Sequence, residues 1–128
     1  MMPDTWYAAS ARPFESLPPL EGRQEARVAI VGGGYAGVCL ALGLTERGVR
    51  DVVLLESEGI GHGASGRNGG FVFAGYSLGE DALLRQLGAE RARGLYGATT
   101  RAVDLIRRRI RQYAIECDAV DAGVIWAN

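Results

Sequence analysis

The pattern of apolar positions changes period several times along the chain, and each change predicts an element. Val28, Ala29, Ile30 and Val31 form a short, continuously apolar run rich in β-branched residues, as in a buried strand. Glycines interrupt it at once. From Tyr35 apolar residues recur at helical spacing until Gly48, which is placed to end a helix in the left-handed conformation. Ala41, four residues past Gly37, supplies the small side chain that the helix face nearest a sheet requires. A second apolar run, Val52 to Leu55, closes on Glu56. The predicted order is strand, tight turn, helix and parallel strand, an α/β arrangement.

Farther along, Phe71 to Phe73 reads as a short strand. Leu83, Leu84 and Leu87 make a first short helical face ended by Gly88, and a longer helix is predicted over roughly 89–115. Its stripe carries Leu95, Thr99, Ala102, Val103, Ile106, Ile110 and Tyr113. A turn at Asp121-Ala122-Gly123 leads to a strand over 124–127. All four prolines fall within residues 1–26, which have little periodicity and are expected to form an extended, turn-rich arm; Trp6 and Tyr7 are read as anchoring it, the alternative being that they are half-exposed.

Glycine spacing adds chemistry to this outline. Gly32, Gly34 and Gly37 fit G-x-G-x-x-G: the first permits the turn, the second lets backbone approach a pyrophosphate, and the third lets the helix pack close to the strand. The helix start directs its unpaired N–H groups and positive dipole end over the turn, which favours an anion there. Glu56 lies about 20 residues on, where the motif expects an acid on a ribose hydroxyl; its charge would repel a 2′-phosphate, so FAD or NAD(H) is expected over NADP(H). A phosphate loop of the G-x-x-x-x-G-K type is excluded because the chain has no lysine. Ala36 excludes G-x-G-x-G, and reading the motif from Gly33 places Tyr35 where glycine is needed.

Seven glycines fall within the nineteen residues Ser57 to Gly75. A loop so poor in Cβ atoms bends sharply and lets N–H groups face a ligand. Within it Ser65 is expected to cap a short helix and Arg67 to offer a charge-assisted bond to an anion; the alternative is a flexible surface loop. His62, the only histidine, is read as a surface loop residue in preference to a base or a flavin tether.

Length and charge narrow the rest. The chain has 128 residues, room for one domain with a modest core, and a net charge of −1 gives no pull toward nucleic acid or anionic membrane. Arg107, Arg108, Arg109 and Arg111 sit near a helix C-terminus, which favours cations, and read as a solvated face, with only Arg107, Arg108 and Arg111 plainly off the apolar stripe. Cys39 is expected to be buried in the first long helix, and neither it nor Cys117 suggests a disulfide or metal site. The stretch Val28 to Leu44 is long enough to suggest a membrane span, but its glycines argue against one. With no signal-peptide pattern, a soluble cytoplasmic protein is expected.

Three passages resemble the N-terminal part of the FAD-dependent D-amino-acid-oxidase-like family, most of all its γ-glutamylputrescine oxidase branch. They are Trp6-Tyr7-Ala8-Ala9-Ser10, Val31-Gly32-Gly33-Gly34-Tyr35-Ala36-Gly37, and Gly61 to Gly70 with its Gly-Ala-Ser-Gly-Arg-Asn-Gly-Gly run. The resemblance implies a Rossmann-like FAD-binding unit, a long helix and the start of a substrate-domain sheet, about the first third of such an enzyme. The implied divisions are an arm over 1–26, a partial FAD-binding domain over 27–116 and the first substrate-domain strands over 117–128.

Implied cofactor contacts are Gly32, Gly33, Gly34, Tyr35, Ala36, Gly37, Glu56, Ser57, Ala64, Ser65, Arg67, Asn68, Gly69 and Gly70. The implied reaction oxidises a small-molecule amine or amino acid to an imine, with hydride passing to flavin. No catalytic residue is identified. Alternatives are a dinucleotide-binding remnant without turnover and half of an NAD-dependent dehydrogenase. A chain with these neighbours missing is expected to be marginally stable.

Overall fold

The computed structural model describes residues 5–11 and 17–123. The chain divides into two compact units, Met1–Gly69 and Gly70–Asn128.

The first unit holds a short helix α1 (Trp6–Ser10), strand β1 (Val28–Val31), helix α2 (Tyr35–Glu46), strand β2 (Val52–Leu55) and a 3₁₀ turn at Ala64–Gly66. β1 and β2 pair in parallel, Val28 opposite Val52 through Val31 opposite Leu55. α2 makes the crossover and covers one face of the sheet, where Ile30 is buried. It begins at Gly34, beyond a turn whose Gly32 has φ +101°, a conformation that favours glycine. It ends as the glycine pattern predicts. Gly48 has φ +77°, its N–H bonds the Thr45 carbonyl, and the Val49 N–H reaches back to the Leu44 carbonyl at 3.0 Å, a Schellman closure.

Two expectations fail in this unit. Cys39 is exposed, because α2 is apolar around much of its circumference while the sheet covers only one side; Val38 and Leu40 share that uncovered region. The arm is not extended throughout. Thr5 caps α1 by accepting the Ala8 N–H at 3.2 Å; Trp6 is 79% exposed, whereas Tyr7 lines a cavity of about 200 Å³ with Ala8, Ile60 and His62. On the opposite face of the sheet, Ala29, Val53 and Leu55 line a groove with Leu20 and Ala26.

The second unit is dominated by helix α3 (Glu80–Gln112), broken at Gly88 (φ 76°, ψ 163°), so that two helices meet there as the glycine predicted. Phe71 to Phe73 form no strand and are exposed. The chain beyond them runs back along α3, with the Gly75 N–H on Thr99 Oγ1 at 3.0 Å and the Tyr76 hydroxyl on the Leu95 carbonyl at 3.3 Å. Ala92 and Arg109 are the buried residues of α3, whereas Leu95, Ile106 and Tyr113 of the predicted stripe remain exposed. Arg107 holds Asp104 at 3.2 Å and Asp121 at 2.7 Å. The strand expected over 124–127 lies outside the described residues.

Candidate functional site

The site is built where β1 ends. A parallel strand delivers the chain to Gly32, whose N–H bonds the Leu55 carbonyl of β2 at 2.7 Å, and the positive φ there turns the backbone toward the start of α2. Two turns of chain then approach so closely that side chains have no room. A Cβ on Gly37 would fall onto the Gly32 carbonyl oxygen and within 3.4 Å of Ile30 Cγ2. The third glycine of the motif therefore seats the helix on the turn.

Tyr35, Ala36 and Gly37 are the first residues of α2, ahead of the first helical bond, from the Val38 N–H to the Gly34 carbonyl at 3.0 Å. Their N–H groups have no acceptor within the helix and point out of its positive end. The Tyr35 N–H is taken by Ser65 Oγ at 2.9 Å. Ser65 thus caps α2, thirty residues away in sequence, whereas the 3₁₀ turn that contains it has Gly63 at its N-cap and no side-chain cap. The sequence singled out the serine as a helix cap but assigned it to the wrong helix.

Glu56 follows the last residue of β2. Its Oε2 accepts the Gly33 N–H at 2.6 Å and its Oε1 the Glu58 N–H at 3.0 Å. The N–H donors of Glu58 and Gly33, in that order, hold its carboxyl below the ordinary carboxylate range, against a smaller desolvation effect; the Gly59 and Ser57 backbones add to the lowering. The carboxylate remains exposed.

The glycine-rich loop closes over the same turn. The Gly61 N–H bonds the Gly33 carbonyl at 2.9 Å, and Asn68 Nδ2 donates to the Ser65 carbonyl at 2.7 Å and to the Tyr35 hydroxyl at 3.1 Å. Gly32 to Gly37, Glu56, Ser57, Ala64, Ser65, Asn68 and Gly69 thus belong to one unit, with Arg67 exposed just past the 3₁₀ turn; Gly70 opens the second unit. Sequence reasoning missed Gly61 and Ile60, the latter close to Gly33, and the use of the Tyr35 hydroxyl. The only signal of Gly61 and Ile60 was membership of the loop, and the Tyr35 hydroxyl had none.

This arrangement fits the pyrophosphate of a dinucleotide. A helix start with donors outside the helical ladder and a carboxylate beside the turn are the groups such a ligand needs, while the space a Cβ would take at Gly33 and Gly34 is filled by Ile60, Glu56 and Ser65 of the same unit. Among the described residues no cluster of His, Cys, Asp and Glu is suited to a metal, and no helix is long and apolar enough to cross a membrane.

Residues 27–128 match the family of FAD-dependent oxidoreductases (DAO), and the chain belongs to that family; its cofactor is FAD. It is 41% identical over 123 residues to gamma-glutamylputrescine oxidoreductase of Escherichia coli (strain K12), covering 96% of this chain and 29% of that protein. It is 36% identical over 114 residues to the probable oxidoreductase OrdL of Haemophilus influenzae, covering 89% and 26%. It is 33% identical over 128 residues to the putative Rieske 2Fe-2S iron-sulfur protein YhfW of Bacillus subtilis (strain 168), covering 98% and 25%. The chain thus spans between a quarter and a third of the length of these relatives. No solved structure matches it significantly.

Proposed function

We propose that this chain is the nucleotide-holding part of an FAD-dependent oxidoreductase that oxidises a small-molecule amine or amino acid. The observation that carries the reading is the meeting of the Gly32–Gly37 turn, Glu56 and the Ser65–Asn68 loop in one unit. In a Rossmann-like arrangement the Gly34, Ala36 and Gly37 N–H groups receive the pyrophosphate, and Glu56 accepts from the ribose hydroxyls. Ser57 flanks that acid. Ala64, Ser65, Arg67, Asn68, Gly69 and Gly70 line the path toward the flavin, with Arg67 offering an anion a charge-assisted bond.

Held by these residues, FAD would supply the hydride-accepting chemistry that oxidation of an amine or amino acid to an imine requires. The chain's own residues contribute binding and orientation: the turn fixes one end of the cofactor, the loop its course, and the Glu56 charge disfavours a 2′-phosphate. The amine class is supported by the 41% identity to a gamma-glutamylputrescine oxidoreductase. We assign residues 27–116 to the FAD-binding domain and 117–128 to the opening of a substrate domain, in a cytoplasmic protein. FAD titrated into the protein tests the proposal. Saturable quenching of flavin fluorescence, lost in Gly34→Val and absent with FMN, is expected; quenching that survives Gly34→Val contradicts the assignment of the turn. Bleaching of bound flavin by a primary amine without oxygen tests the substrate class.

A further inference from the structure

Tyr35 carries a phenol ring that burial does not explain, since the residue is 63% exposed at the first position of α2. Its hydroxyl nevertheless accepts from Asn68 Nδ2 at 3.1 Å, across 33 residues of sequence. The same Asn68 nitrogen donates to the Ser65 carbonyl at 2.7 Å, and Ser65 Oγ returns to the Tyr35 N–H at 2.9 Å. These bonds form a closed circuit: Tyr35 backbone to Ser65 side chain, Ser65 backbone to Asn68 side chain, Asn68 side chain to Tyr35 side chain. A fourth bond, from the Gly61 N–H to the Gly33 carbonyl at 2.9 Å, ties the other limb of the loop to the turn. Close approach at Gly34, where a Cβ would come within 2.9 Å of Ser65 Oγ, shows how tightly the two limbs meet.

We infer that the Tyr35 hydroxyl is a positioning group: through Asn68 it clasps the glycine-rich loop onto the start of α2 before any ligand arrives. A loop this rich in glycine loses much conformational freedom on ordering. A circuit that orders it in the free protein removes that cost from binding, which is pre-organisation. The phenol is the part of the circuit that tyrosine supplies and phenylalanine does not, so the clasp assigns the side chain of Tyr35 a role separate from that of its N–H. The role of the clasp in cofactor binding rests on the function proposed above; its existence does not.

Amide hydrogen exchange on the full chain without cofactor tests it. The Tyr35, Gly61, Gly66 and Arg67 N–H groups report the turn and the loop, and those of α3 serve as the reference. Tyr35→Phe and Asn68→Ala are each expected to speed exchange at position 35 and at Gly61, Gly66 and Arg67 by about two- to tenfold, the range for one ordinary hydrogen bond, with α3 unchanged. The double variant is expected to add nothing beyond the Asn68→Ala effect, because the hydroxyl acts only through that amide. Unchanged exchange in Tyr35→Phe, or effects that multiply in the double variant, would overturn the inference. Adding ADP as the probe separates the two ideas: a wild-type chain with the expected exchange pattern that takes up no ADP retains the clasp and loses the nucleotide site.

Discussion

Replacing Gly37 with alanine sets two effects of known size against each other. Within a helix, glycine is less favourable than alanine by about 0.8–1 kcal/mol, so on propensity alone the substitution stabilises α2. Against this, the new Cβ falls onto the Gly32 carbonyl oxygen and meets Ile30 Cγ2 at 3.4 Å. Overpacking by one carbon costs about 1–3 kcal/mol where side chains can move aside. Here the obstacle is backbone, held by the Gly32 N–H bond to Leu55 at 2.7 Å, so the upper end applies and the net loss is about 2 kcal/mol. Exchange of the Val38 amide, which closes the first helical turn on Gly34, should accelerate about thirtyfold. Gly94→Ala is the control. That site has nothing within 4 Å of its Cβ, and the same chemical change there should slow exchange in α3 about fivefold. If Gly37→Ala also slowed exchange, the helix would not be seated on the turn as described.

Three further outcomes follow from individual contacts. Because backbone donors hold the Glu56 carboxyl below its ordinary 4.5, the carboxylate's contribution is present above that pH and lost as pH falls through the lower, folded value. The Gly33 amide resonance should therefore titrate with a midpoint below 4.5 and lose that titration in Glu56→Gln; a midpoint at or above 4.5 contradicts the bond. Ser65→Ala removes the cap of α2 and should destabilise the helix start by about 1 kcal/mol, read as roughly fivefold faster exchange at Tyr35. Ala114 closes α3 at φ 47°, with the Ile115 N–H on the Ile110 carbonyl at 2.9 Å; glycine there relieves about 1–2 kcal/mol and adds about 0.4–1 kcal/mol of unfolded-chain entropy. A gain of roughly half to one kcal/mol in the opening energy of the last turn is expected, and a loss would show that the alanine is unstrained.

The parts of the molecule legible in the sequence are those fixed by neighbouring residues. β1, the Gly32 turn, α2, its Gly48 closure and β2 follow from apolar period and glycine position, both local signals. The break at Gly88 was legible for the same reason, since no β-carbon occupies φ 76° there. Readings that depend on what covers a residue fared worse. Cys39 of α2 and Leu95, Ile106 and Tyr113 of the α3 stripe have the spacing of buried positions but remain exposed, because what covers a helix face is not a local signal. Phe71 to Phe73 have the composition of a strand and no partner strand among the described residues. In the site, the spacing of Gly32, Gly37 and Glu56 was readable, whereas the bonds from Ser65 and Asn68 to Tyr35 join positions 30 and 33 residues apart and leave no periodic trace.

The central claim is that the turn and the loop together hold the adenine dinucleotide of FAD. Its most direct test follows the backbone amide resonances of the chain while FAD is added. The amides of residues 33–37 and 61–69 should shift together along one saturable curve, with Glu58 moving as Glu56 changes partner and the last two turns of α3 unmoved. FAD that binds while residues 33–37 stay in place, or that leaves every amide unmoved, contradicts the claim.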